Sequence, residues 1–213
     1  MAEIKKGILG GFSGKVGTVI GVNWRGKDII RSLPKASKKA PTEEQLIQRV
    51  KFRKTIDFLQ PLRSIQNRYF GNKAGKQSRF NNATSYTLTN AVEMVLDLPV
   101  IIVARVLITK GELLDFQLPE LDATTTGTFS FSWEDNSGQG NAKETDLVNV
   151  VCYCEELNSF YISEEIATRD TLLASVNLPT PYQNKEVDVW IYLNTEKRTQ
   201  ASTSTYLGKH EVL

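Results

Sequence analysis

The 213 residues contain one histidine, His210, and two cysteines, Cys152 and Cys154. These are the side chains most used for general acid–base work, soft-metal ligation and thiol chemistry. With one histidine near the chain end, no Ser-His-Asp order can form. No carboxylate motif, metal-ligand spacing or cofactor fingerprint takes its place. The expectation is a protein without enzymatic activity, cofactor or metal. Cys152 and Cys154 flank Tyr153 in a run that reads as a strand, so they fall on the same face. A disulfide between them would need strained geometry, and they read as two small buried apolar side chains. Long apolar runs are also missing. The longest, Leu98 to Ala104, ends at Arg105, far short of the ~18–20 residues of a membrane span. Lys5-Lys6 before Gly7–Phe12 imitates the start of a signal peptide, but the apolar part is too short and too glycine-rich. A cytoplasmic protein, free or within an assembled particle, is expected.

What the chain has in abundance is divided charge. Residues 1–90 hold 18 Lys+Arg against 5 Asp+Glu, a net of +13; residues 91–213 hold 8 against 19, a net of −11. The near-neutral total of +2 hides this split. A basic half must meet something acidic, and the chain carries an acidic half of its own.

The grammar changes at the same place. Residues 1–40 are rich in glycine and lysine. Lys15–Val22 and Lys27–Leu33 read as two strands joined by the turn Asn23-Trp24-Arg25-Gly26. Pro34 to Pro41 is a Lys/Ser/Pro linker. Thr42-Glu43-Glu44-Gln45 is a capping box that starts a helix, with Phe52, Ile56 and Leu59 at helical spacing as its core face. Pro61 breaks it, a second segment runs from Leu62 to Tyr69, and Gly71 stops that one. Residues 78–95 read as a further helix with Phe80, Ala83, Thr87 and Ala91 on one side. From residue 100 the pattern is strands: 100–109, 113–118, 128–133, 147–154, 159–163, 171–178, 186–194 and 203–207. Alternation is plain in Phe129–Trp133 and Val187–Leu193. The fold class is α+β: an N-terminal β-hairpin plus helices, then an antiparallel immunoglobulin-like β-sandwich. The boundary is expected between a basic module, 1–97, and an acidic sandwich, 98–213.

The opening run Lys6 to Gly21, with Trp24-Arg25-Gly26, Ile30–Pro34 and Thr42…Gln45-Leu46…Gln48-Arg49…Lys51-Phe52, resembles an uncharacterised bacterial family of unknown function. That resemblance covers the whole chain. It implies a glycine-rich head and a β-rich tail with a Phe-Ser-Trp strand before an Asp-Asn-Ser turn, here Trp133 to Ser137, and it implies no activity. The tryptophan on an early strand, Tyr153 on the next and Trp190-Ile191-Tyr192 before a Thr/Ser-rich last hairpin resemble fibronectin type III and related immunoglobulin-like domains. The Thr42 to Phe52 helix resembles helices in phage-encoded structural proteins.

Gly10 to Lys15 invites a phosphate-loop reading, but Leu9 stands at its first glycine position and Val16 follows the lysine. The glycines suit close backbone approach instead, as in a subunit arm. Gly10, Gly11, Phe12, Val16, Val19, Trp24, Arg25 and Arg31 are therefore candidate assembly residues. Lys35, Lys38, Lys39, Arg49, Arg53 and Lys54 are a candidate basic surface. The expected function is structural: a homo-oligomer, with or without other particle components, whose basic half docks on the acidic half of the next copy in a phage-derived or tubular particle. The alternative is non-specific nucleic-acid binding by the basic module. No helix-turn-helix, zinc finger or RNA-binding sheet motif accompanies the charge.

Overall fold

The computed structural model describes residues 3–4, 10–24, 26–35, 40–72, 77–96 and 98–213. The chain divides into two compact units, Met1–Glu43 and Glu44–Leu213.

The first unit is one antiparallel sheet in the order β1 (Glu3–Ile4), β2 (Phe12–Val16), β3 (Val19–Trp24), β4 (Lys27–Ser32). The single strand expected over 15–22 is two strands. The chain reverses at Gly17-Thr18, where Gly17 takes φ +56°, and Val16 pairs with Val19. Glycine enters that left-handed region without the steric cost a Cβ imposes. The second turn lies where the sequence places it, with Trp24 paired to Lys27.

The second unit opens with α1 (Glu43–Leu59), which starts directly after the capping residue Thr42. A 3-10 turn over Gln60–Leu62 carries Pro61, and α2 (Arg63–Tyr69) follows. The third helix, α3 (Arg79–Asn90), is capped by the Ser78 hydroxyl, which accepts from the Asn81 N–H. Helix was expected through residue 95. Instead β5 (Val92–Val95) and β6 (Leu98–Ile101) form a hairpin, in which the β-branched Val92, Val95, Val100 and Ile101 favour strand over helix. The strand expected over 100–109 ends at Ile101, and a 3-10 turn takes Val103–Arg105.

Seven strands make two antiparallel sheets: β7 (Gln117–Thr125), β8 (Thr128–Glu134), β9 (Leu147–Cys154), β10 (Ser159–Thr168), β11 (Leu173–Asn177), β12 (Glu186–Asn194) and β13 (Thr205–Glu211). The orders are β11-β8-β7 and β10-β9-β12-β13. Strands β9 and β12 match the expected bounds. Where the sequence suggests 113–118, the strand is β7, shifted toward the C-terminus.

Two cores explain the patterning. Phe129, Phe131 and Trp133 of β8 meet Val150, Cys152, Val189 and Ile191 between the sheets. The opposite face of the four-stranded sheet carries Val151, Tyr153, Trp190 and Tyr192, and onto it pack Phe58, Leu59, Leu62, Ile65 and Tyr69 of the helical segment. Phe58 meets the rings of Tyr153 and Phe160 edge-on at 5.0 and 5.2 Å. The units divide at Glu43/Glu44 rather than at the expected 97/98, and within the second unit the helices share this core with the strands. In α1 the buried face is Thr55, Phe58 and Leu59, whereas Phe52, expected in the core, is 53% exposed.

Candidate assembly surface

Nine apolar or aromatic residues lie in β2, β3 and β4 with their flank Leu33, yet of the residues of these three strands only Gly21 is buried. Val16, Trp24, Ile29, Ile30 and Leu33 are exposed, Trp24 at 56% and Ile30 at 66%. Every residue of β4 is exposed. A small sheet gains stability by covering its apolar residues, and here they stand exposed on both faces, Val16 and Ile30 on one and Trp24 and Ile29 on the other. The glycines do permit close approach, but the neighbour is the same chain. A Cβ on Gly21 would lie 2.2 Å from the Phe12 carbonyl oxygen, and one on Gly11 would lie 2.1 Å from the Asp28 carboxyl carbon. Gly10, Gly11, Phe12 and Val19 are half-buried in this fold-over, and Val16, Trp24 and Arg31 face solvent. The Asn23 amide donates to Asp28 at 2.8 Å, and the Gly26 N–H donates to the Asn23 side-chain oxygen, which fastens the β3–β4 turn. Arg25 lies outside the described residues.

Of the basic surface, Lys38 and Lys39 also lie outside the described residues, and Lys35 is exposed. Arg49 and Arg53 project from α1 into solvent. Lys54 is not free, since its ammonium donates to the Pro99 carbonyl at 2.8 Å. The first half of α1 also exposes Leu46, Val50 and Phe52. A cavity of about 360 Å³ beside it is lined by Val50, Arg53, Phe58, Ile101 and Tyr153. A second cavity of about 490 Å³ lies by Arg68, Arg79, Tyr86, Lys110 and Glu112. The tip of the β5–β6 hairpin exposes Val95, Leu96 and Leu98. The sequence carries a signal for these patches: apolar residues outside the i, i+3, i+4 set that meets the sheet.

The acidic strands present Glu120, Asp122, Glu134, Asp135 and Glu144 to solvent. Glu164 and Glu165 are ion-paired: Arg68 reaches Glu164 at 2.7 Å and Arg198 reaches Glu165 at 2.6 Å. Burial raises the Asp115 carboxyl above its usual range, against hydrogen bonds from Thr205, the Phe116 N–H and Ser202. Burial likewise raises Asp188, opposed by the Tyr206 hydroxyl, which donates at 2.6 Å, and by Lys209. Burial pushes the Cys152 thiol far up, so it is no nucleophile at neutral pH.

Sequence reasoning missed the buried pair Arg169–Asp146. Arg169 is 0% exposed. Its guanidinium donates to Asp146 at 3.2 and 3.3 Å, to Asn136 at 2.5 Å and to the Leu114 and Asp115 carbonyls. Its own carbonyl accepts from the Trp133 indole at 2.7 Å. It ties the Glu134–Asn141 insertion to the sandwich. Nothing in its local sequence distinguishes it from a surface arginine. Among the described residues, no group of three or more His, Cys, Asp or Glu is placed to hold a metal ion, and no helix is long and apolar enough to cross a membrane.

A family model matches residues 11–208, nearly the whole of both units. The chain belongs to a family of unknown function, DUF6266. The resemblance read from the glycine-rich head and the Phe-Ser-Trp strand is thereby a membership. No curated protein matches the chain.

Proposed function

We propose that this member of the family is a non-enzymatic structural subunit that self-assembles through its N-terminal sheet and through basic-to-acidic complementarity. The observation that carries the reading is that β2, β3 and β4 bury no side chain and, with Leu33, expose five large apolar residues. Its charge points the same way: residues 1–43 hold 9 Lys+Arg against 3 Asp+Glu, a net of +6. The strands of the second unit offer exposed carboxylates, including Glu120, Asp122 and Glu134. Complementary fields of this kind set register and speed encounter. A head-to-tail contact of this sort closes into rings or runs on into tubes, which suits a component of a phage-derived or tubular particle. The strand order supports the immunoglobulin-like reading of the sandwich. Lettered A, B, C, C′, E, F and G in chain order, the strands divide as A-B-E and C′-C-F-G.

Sedimentation of the purified chain against concentration and salt tests this. Oligomers should grow with concentration and loosen as salt passes a few tenths molar, where the Debye length falls below about 8 Å. A strictly monomeric profile at low salt and high concentration refutes the proposal. Retention of a mixed DNA duplex on a filter at about 50 mM salt by a monomeric protein would favour the nucleic-acid reading instead.

A further inference from the structure

An exposed strand edge is a template for pairing with another chain, and folded proteins guard such edges with prolines, breaks in register, charges or shortness. Among the described strands every edge but one is interrupted by a proline, a break in register or shortness. Strand β7 carries Pro119 and two register breaks. Strand β10 breaks register between Ser163 and Ala167, where Glu164 and Glu165 stand. The β12–β13 ladder breaks between Val189 and Trp190, and β13 presents Lys209. Strand β11 is five residues long and has β10 alongside it. In the small hairpin, β6 holds Pro99 and β5 is four residues with Glu93. Strand β1 has two residues. Strand β4 carries the charged Lys27, Asp28 and Arg31, but its backbone edge is the uninterrupted one. It makes six consecutive pairs with β3 from Lys27 to Ser32 without a break, contains no proline, and sets Ile29-Ile30 at its centre. Nothing pairs with its outer edge among the described strands.

We propose that β4 pairs antiparallel with β4 of a second copy about a two-fold axis through Ile30, joining two N-terminal sheets into one. This rests on the self-assembly reading, and it names the occupant of the edge. Among the described strands, the only uninterrupted edge that another copy can offer is β4 itself.

Symmetry and charge select the register. Residues directly opposite in an antiparallel pair share a face, and a two-fold axis gives both strands the same alternation. The axis must therefore pass through a residue, not between two. An axis through Asp28 sets Asp28 against Asp28, and one through Arg31 sets Arg31 against Arg31. An axis through Ile29 sets Lys27 against Arg31. Like charges directly opposite destabilise a pair. Among axes that keep at least three β4 residues paired, only the one through Ile30 avoids them. It places Ile30 against Ile30, Asp28 against Ser32 and Ile29 beside the aliphatic stem of Arg31. The contact joins two basic heads, so salt strengthens it by screening, whereas salt weakens the basic-to-acidic contact.

The test is disulfide trapping in the full chain, with single Ile30→Cys, Ile29→Cys and Ser32→Cys variants oxidised at about 0.5 M NaCl, where the Debye length is about 4 Å. The native cysteines are fully buried and stay out of the reaction. Opposed Cα atoms lie about 4.5–5.5 Å apart, inside the disulfide range of about 4.4–6.8 Å. Two copies of residue 29 would be about 8 Å apart in this register. Ile30→Cys should therefore crosslink to a dimer roughly tenfold faster than either other variant. In parallel, the wild-type chain should sediment at that salt as a dimer, and Ile30→Lys as a monomer of unchanged circular dichroism. Equal trapping at all three positions overturns the register. No trapped dimer, with wild-type oligomers still seen at low salt, overturns β4 pairing and leaves the self-assembly reading standing. A monomer under every condition overturns both.

Discussion

Removing residues 1–97 should leave a sandwich that cannot hold its fold, whereas removing residues 1–41 should leave one that can. The difference lies in the aromatic face of the four-stranded sheet. Trp190 and Tyr192 are fully buried and Tyr153 nearly so, with the helical segment packed on them. Each such ring buries about 150–250 Å². With roughly half of that facing the helices, loss of the helical layer turns about 300 Å² of these three rings to water. At about 25 cal/mol per Å² this is about 7–8 kcal/mol. Domain stabilities are about 5–15 kcal/mol, so the shortened sandwich loses most of its margin. The longer fragment loses only the N-terminal sheet, whose strands β2, β3 and β4 bury no side chain of their own. The assay is thermal and urea unfolding of fragments 42–213 and 98–213 against the full chain, with a dye that binds exposed apolar surface. Fragment 42–213 should melt cooperatively near the full-length temperature, and fragment 98–213 should bind dye and lack a sharp transition. A cooperative melt of 98–213 within a few degrees of the full chain would refute the shared core.

Two further predictions concern buried charge in the second unit. Arg169→Met leaves Asp146 buried and uncompensated and should cost about 3–5 kcal/mol in urea unfolding; replacing both residues by apolar ones should recover most of the loss. Asp188 is buried and its carboxyl is raised, so the folded state holds its proton more tightly than the unfolded chain does. The stability it contributes is present at low pH and lost as pH rises through the raised value. Asp188→Asn, whose amide oxygen still accepts from Tyr206, should raise the melting temperature at pH 7 and leave it little changed at pH 4. An equal change at both pH values would refute the assignment. Asp115 shifts the same way, so part of the slope should remain.

How much of this was legible in the residues follows from what each signal depends on. Alternation in Val187–Leu193 and the capping box at Thr42 are local, and β12 and α1 begin and end as read. The reversal at Gly17 was missed because apolar residues run on through Val16, Val19 and Ile20 and hide the turn. The placement of Phe52 in the core failed because its spacing with Ile56 and Leu59 is helical, whereas the face that meets the sheet is Thr55, Phe58 and Leu59. The boundary at 97 followed the change of grammar and charge. The core follows packing instead, and a strand with aliphatics on one face and aromatics on the other is apolar throughout, so it does not announce that two layers cover it. Of the candidate surface, the exposed Val16, Trp24 and Arg31 were readable as a glycine-spaced hairpin. The interruption of every other described edge was not, because it depends on pairings between distant segments.

The helix-on-sheet core also sets an order of events during synthesis. Phe58, Leu59 and Leu62 leave the ribosome on the order of a hundred residues before Trp190 and Tyr192, the rings that cover them. At about 5–20 residues per second, the apolar side of the helical segment waits roughly 5–20 s for its partner strand. Through that interval the nascent chain carries an unsatisfied greasy stripe next to a basic, glycine-rich head, and it is a client for chaperones until β12 emerges. A chain stalled before residue 186 should therefore be found chaperone-bound, and one released after residue 194 should not.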